Sequence, residues 1–265
     1  MRNIKKLIAL TLCLFMIVPT LFSCANGETN TSETETTNNS ETETAAETAT
    51  ETETETEKLT EVETEGKKII KIACIGDSIT YGVGAKNTNK DNYLGVLETM
   101  ISDEYELKNF GLSGSSLIIR SKTPYLKSKE YSDCLEYNPD IVIIMLGTND
   151  ALSQGTRPKF EEQYTEDANT LIETLNGLES KPRIFFMTSP DIIGYPEQRS
   201  YLVNKLLPTQ KKIAEDNGFT LIDIFAATEE NASLFTDDGV HPNNDGYKVI
   251  AQTVYDVLSV ELGFN

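Results

Sequence analysis

After residue 67 the apolar positions of this chain keep changing period. Lys68–Ile75 is a short, mainly apolar run ending at Gly76, and Ile141–Leu146 is six consecutive apolar residues. Runs of that length bounded by Gly or Pro predict buried strands. Tyr105–Phe110, Arg183–Met187 and Thr220–Phe225 are read as three more. Between them the spacing becomes helical. Tyr93, Leu94, Leu97, Met100 and Ile101 share one face, and part of Tyr125–Tyr137 forms a helix stopped before Pro139. A long helix at about Lys159–Leu178 and another within Gln198–Asp216 follow. The last, Asn244–Leu262, carries Tyr247, Ile250, Ala251, Val254 and Leu258 on one side. Strands that alternate with helices of this length predict a parallel sheet covered on both faces. The expected fold is α/β: a three-layer α/β/α sandwich on a five-stranded parallel sheet. Ligands of such folds sit beyond the carboxyl ends of the strands.

The first 66 residues have neither period. Arg2, Lys5 and Lys6 precede an apolar run, Leu7–Val18, and then Leu21-Phe22-Ser23-Cys24. A positive start, a dozen apolar residues and a small residue before the cut predict a secretory signal peptide over 1–23. The run is shorter than the roughly 20 residues of a membrane-spanning helix. Its end resembles a bacterial lipobox, which implies that Cys24 is lipidated and becomes the first mature residue. The other outcome is plain secretion with Cys24 left as an incidental thiol. From 24 to 66 the chain is nearly all Glu, Thr, Asn, Ser and Ala, with Leu59 and Val62 its sizeable apolar side chains. That content cannot offset the entropy of ordering a backbone, so 24–66 is read as a disordered tether and 67–265 as one domain. The expected location is the bacterial cell envelope, outside the cytoplasm and lipid-anchored to a membrane.

Charge and cysteine usage narrow the partners. The 265 residues carry a formal net charge of -19. Thirteen Glu against one Lys give the tether -12 of this, while the leader contributes +3 and the domain -10. Such a balance argues against a nucleic-acid partner, which needs clustered Lys and Arg. Four Cys and one His exclude most Cys/His zinc sites. Cys13 leaves with the leader. Cys74, within the first strand, and Cys134, in a helix, either stay as buried free thiols, the favoured reading, or pair as a disulfide in an oxidising compartment.

Four short motifs follow strand ends. Gly76-Asp77-Ser78-Ile79-Thr80 places a Ser just past the first strand, exposed at the ligand edge, although Asp and Ser there also cap helices. Asn109-Phe110-Gly111-Leu112-Ser113-Gly114 can turn sharply and present bare N–H groups. Gly147-Thr148-Asn149-Asp150 offers a side-chain amide to an anionic oxygen, or else a loop and cap. Asp237-Asp238-Gly239-Val240-His241-Pro242 sets an Asp three residues before the chain's single His. An Asp beside a His fixes its tautomer and supports the imidazolium formed during proton transfer.

In this order the four motifs resemble those of the SGNH (GDSL) hydrolase superfamily, over essentially all of 68–262. The resemblance implies a flavodoxin-like sandwich with a catalytic triad of Ser78, Asp238 and His241. It further implies an oxyanion hole from the N–H groups of Ser78 and Gly111 and the side chain of Asn149. It implies acyl transfer from an ester to water through an acyl-enzyme, with no metal or other cofactor. The expected substrate is a small ester or an acetylated glycan, with segments 112–138 and 191–207 shaping the acyl pocket. No obligate protein partner is inferred; the membrane is reached through Cys24. Two other readings remain open: a lysophospholipase or thioesterase, and a surface lipoprotein that binds solutes without turnover.

Overall fold

Along each central strand the side chains alternate between two apolar clusters, and this alternation fixes the layers. The computed structural model describes residues 68–154 and 156–264. The leader, the tether and Cys24 lie outside the described residues. Ala73 and Ile75 of β1 (Ile70–Gly76) face one cluster, while Ile72 and Cys74 face the other. In β3 (Ile141–Met145) the split is Val142 and Ile144 against Ile141, Ile143 and Met145. In β4 (Arg183–Met187) it is Ile184 and Phe186 against Phe185 and Met187. A strand buried on both faces needs apolar residues at every position, which is why these runs do not alternate with polar ones.

With β2 (Tyr105–Gly111) and β5 (Thr220–Ile222) these strands form one parallel sheet in the order β2-β1-β3-β4-β5. One face is covered by α2 (Tyr93–Glu98) and α9 (Asn244–Leu262). The opposite face is covered by α3 (Lys129–Tyr137), α5 (Phe160–Asn176) and α7 (Leu207–Asn217). The three-layer sandwich expected from the sequence is the observed one, and its strand order is the flavodoxin-like order. The chain winds in opposite directions from β1, so the topological switch falls between β1 and β3, where such folds open a crevice. Register brings the strand ends level: Gly76 is opposite Gly111 on one side and Met145 on the other. The loops that follow β1, β2 and β3 therefore leave the sheet side by side.

Three boundaries depart from expectation, two of them for a local reason. The fifth strand stops at Ile222, because Asp223 caps α8 (Ile224–Thr228) by accepting from Ala226 N–H at 3.1 Å. The helix expected within Gln198–Asp216 starts earlier, as α6 (Pro196–Tyr201), and widens into a π turn at Leu202–Leu206 before α7. Pro208 has no N–H to give to the carbonyl of Asn204, and Leu207 N–H bonds back to Leu202 instead. The second helix ends at Glu98, short of Met100 and Ile101. Cys74 and Cys134 are both free and buried, one in each apolar cluster on opposite faces of the sheet. Burial in apolar surroundings pushes each thiol up to about 12, so neither is a ready nucleophile.

Candidate active site

Four connections at the carboxyl edge of the sheet assemble the site, and each is held by a residue suited to its bend. After β1 the chain turns at once into the short helix α1 (Ser78–Tyr81). Gly76 permits that turn, since a Cβ there would sit 2.8 Å from Met145 O and closer still to the Thr80 side chain. Asp77 is the cap, accepting from Ile79 N–H at 2.9 Å. Ser78, the first helical residue, is only 6% exposed, so it lies recessed rather than standing free as the sequence suggests. Its N–H donates no hydrogen bond within the described residues.

The other partners come from the far end of the chain. Ser78 Oγ lies 2.8 Å from His241 Nε2, and His241 Nδ1 lies 2.6 Å from Asp238 Oδ2. Asp238 Oδ1 accepts from the N–H groups of Val240 and His241 and from the Thr236 hydroxyl, each at 2.9 Å. Partial burial works against the charged carboxylate, but the His241 ring, these N–H groups and Thr236 outweigh it. The acid is held well below its usual range. Because Oδ2 is an ionised acceptor, Nδ1 carries the proton and Nε2 is left to accept from Ser78.

Beyond β3, α4 (Thr148–Gln154) begins directly on the third motif. Asn149 Nδ2 donates to Ser115 O at 3.0 Å, which uses one of its two hydrogens. Fully buried Asp150 accepts from Leu117 N–H and Ile118 N–H, both at 2.9 Å. Together they fasten the loop after β2 to α4, and so set Gly114 beside Asn149. Gly147 (φ 141°) packs against Gln210. The buried Gln210 amide donates to Leu146 O at 3.0 Å and accepts from Ser189 N–H at 3.3 Å, satisfying backbone around the end of β3.

Gly111 does not fill the role expected of it. Its N–H donates to Asn109 Oδ1 at 2.8 Å, while Asn109 Nδ2 donates to Thr80 O at 2.7 Å. A Cβ on Gly111 would lie 2.3 Å from Tyr81 N, so this glycine serves close backbone approach between β2 and α1. Gly114, in left-handed conformation at φ 79°, has open space around it and an N–H that donates no hydrogen bond within the described residues. A pocket of about 340 Å³ beside His241 is lined by Leu152, Tyr195, Gln198, Asp238, Val240 and His241, and so draws on the 191–207 segment. A larger groove of about 550 Å³ runs between α5 and α7 and includes none of the four motifs.

Two carboxyls beneath the site are perturbed. Burial raises Asp77 to about 6, against the pull of the Ile79 N–H, His241 and Thr148, and its Oδ2 has no hydrogen-bond partner among the described residues. Burial raises Asp150 to about 7, against its two backbone donors and with help from the charge of Asp77. Sequence reasoning named both residues as loop or cap positions and missed their burial. It also missed Thr236, Gln210 and Tyr195. The signal for Gln210 was a polar side chain on the apolar face of its helix, between Leu206 and Ile213. No group of three or more His, Cys, Asp or Glu among the described residues could hold a metal ion.

Comparison with known proteins supplies the family. Residues 74–249 match the GDSL-like Lipase/Acylhydrolase family, and the chain belongs to that family. An acetylxylan esterase of Xylanibacter ruminicola is 27% identical over 204 residues, covering 70% of this chain and 42% of its own length. An acetylxylan esterase of Geobacillus stearothermophilus is 26% identical over 205 residues, covering 69% and 90%. The chain thus spans less than half of the Xylanibacter relative. The solved structure of the acetylxylan esterase Axe2 from Geobacillus stearothermophilus superposes with a TM-score of 0.59 at 23% identity, covering 75% of this chain and 96% of that one. At that identity the likeness bears on the fold.

Proposed function

We propose that this protein is an extracytoplasmic serine esterase that removes acetyl groups from glycans, with Ser78 as nucleophile, His241 as base and Asp238 as its orienting acid. The observation that carries the reading is the unbroken chain from Ser78 Oγ through the His241 ring to Asp238, at 2.8 and 2.6 Å. Serine is too weak a nucleophile at neutral pH without a base, and His241 is the one imidazole in the sequence. As Ser78 Oγ attacks the ester carbonyl, its proton passes to Nε2. The tetrahedral oxyanion rests on the N–H groups of Ser78 and Gly114 and on the second amide hydrogen of Asn149. Gly114 replaces Gly111 here because its N–H is uncommitted. Nε2 then protonates the departing alcohol, water adds to the acyl-enzyme by the same route, and acetate leaves. Xylan as the glycan is supported by the two acetylxylan esterases among the relatives. Location outside the cytoplasm rests on the leader and on Cys24.

A substrate panel tests this. The wild-type protein should release acetate from acetylated xylan and should cleave an aryl acetate, with lysophospholipid a poor substrate. Ser78→Ala should remove both acetyl activities while leaving the folded state intact. Near-normal turnover by Ser78→Ala would refute the mechanism. Preference for lysophospholipid would transfer the protein to the lipase reading, and no turnover of any ester would leave a binding protein.

A further inference from the structure

The pocket beside His241 is lined in part by a tyrosine that is half exposed. Tyr195 is 45% exposed, one of the few large apolar side chains so presented among the described residues. It nevertheless stands on a tightly fixed loop. The N–H groups of Ile193 and Gly194 donate to Gly239 O at 2.7 and 3.2 Å, which joins this loop to the turn carrying Asp238 and His241. The approach is close enough that a Cβ on Gly194 would lie 2.6 Å from Asp238 O. On the other side of Tyr195, its carbonyl accepts from Arg199 N–H at 2.8 Å, and Arg199 Nε donates to fully buried Asp191 at 2.8 Å. Ties on both sides fix the backbone that presents this ring before any ligand arrives, which lowers the entropic cost of ordering the loop on binding.

The side of the ester that meets this ring follows from the chemistry. His241 Nε2 must hand its proton to the alcohol oxygen, so the alcohol lies on the His241 side and the carbonyl oxygen on the Gly114 and Asn149 side. The pocket lined by Tyr195, Gln198 and Leu152 is thus the alcohol's. Its volume of about 340 Å³ falls at the lower end of small-ligand pockets, which run from about 300 to 1,000 Å³. Its lining offers an aromatic face, an amide that both donates and accepts, and an aliphatic surface. It includes Asp238 and neither Lys nor Arg, so a phosphate headgroup would meet an acid and no counter-charge. A neutral pyranose suits all of these: its axial C–H faces lie on an aromatic ring and its hydroxyls pair with an amide.

We propose that Tyr195, with Gln198, forms a sugar-binding platform that selects an acetylated pyranose as the alcohol half of the ester. This rests on the esterase reading above and adds the residue that sets its substrate class. The test compares kcat/KM for acetylated xylo-oligosaccharide with that for ethyl acetate, whose alcohol is too small to stack. Aryl acetates are unsuitable, because their leaving group would stack as well. Tyr195→Ala should lower the ratio of the two by about 10-fold, with the loss on the oligosaccharide carried mainly by KM. Tyr195→Phe, which keeps the ring, should restore most of it. A ratio unchanged in Tyr195→Ala, whether both rates fall together or neither does, overturns the platform alone. Wild-type protein that cleaves ethyl acetate but not the oligosaccharide overturns the glycan reading and the platform with it.

Discussion

At Asp238 four donors converge on one carboxylate, and the division between its oxygens matters. Oδ1 takes the three local bonds that fix the turn, leaving Oδ2 to the imidazole alone. The ring is thereby held in one tautomer and one orientation before substrate arrives, which is the preorganisation that transition-state stabilisation requires. The same logic applies to Asn149, whose bond to Ser115 O aims the amide while leaving one hydrogen free. Removing one such donor costs about 10²- to 10³-fold in kcat. Asn149→Ala should therefore lose turnover of that order on an acetyl ester with little change in KM. A pure KM effect in steady-state kinetics would make it a substrate-binding residue instead. Ser78, Asp238 and His241 were legible because each stands in a short motif and the sequence offers a single His. The choice between Gly111 and Gly114 was not legible, because it depends on which N–H the Asn109 side chain already occupies.

At the scale of elements, buried apolar runs read clearly and their ends did not. Ile141–Met145 is marked by its composition, whereas the end of β5 depends on Asp223 acting as a cap and the π turn on Pro208. The carboxyls that bind elements together were equally hidden, since an Asp looks the same buried or exposed. Asp77 joins β1 to α1, and Asp150 joins α4 to the loop after β2. Folding raises both above the usual 3.8, to about 6 and about 7, so the native state binds their protons more tightly than the unfolded chain. Stability from these groups is present at about pH 4 and falls as pH rises to about 7. Asp223 and Asp238, held below their usual range, act in the opposite sense and only at lower pH. Chemical denaturation at pH 5 and pH 8 should show wild type losing stability on the order of 1–3 kcal/mol across that window. Asp77→Asn keeps an oxygen for Ile79 N–H and removes the titration, so it should lose less. Equal losses in the two proteins would show that Asp77 does not hold its proton in this way.

For the whole molecule, the site and its support fall in one stretch of chain. The catalytic candidates lie between Ser78 and His241, and the two apolar clusters that cover the sheet run from Ile72 to Leu258. Among the described residues, the site and both clusters all lie after Lys67. The expected work of the Glu-Thr segment is distance: residues 25–66, 42 in number, reach at most about 150 Å when fully extended, enough to carry a hydrolase from the proposed membrane anchor toward a polymer. A protein beginning at Lys67 should thus match the full-length protein in kcat/KM on a small soluble ester, because such a substrate needs the site and not the reach. Cys24→Ser in cells should move the protein from the membrane to the soluble fraction, since the lipidation proposed for this residue would have no sulfur to attach to. Loss of small-ester activity on truncation would make residues before Lys67 part of the fold. Membrane retention of Cys24→Ser would place the anchor elsewhere than the lipobox.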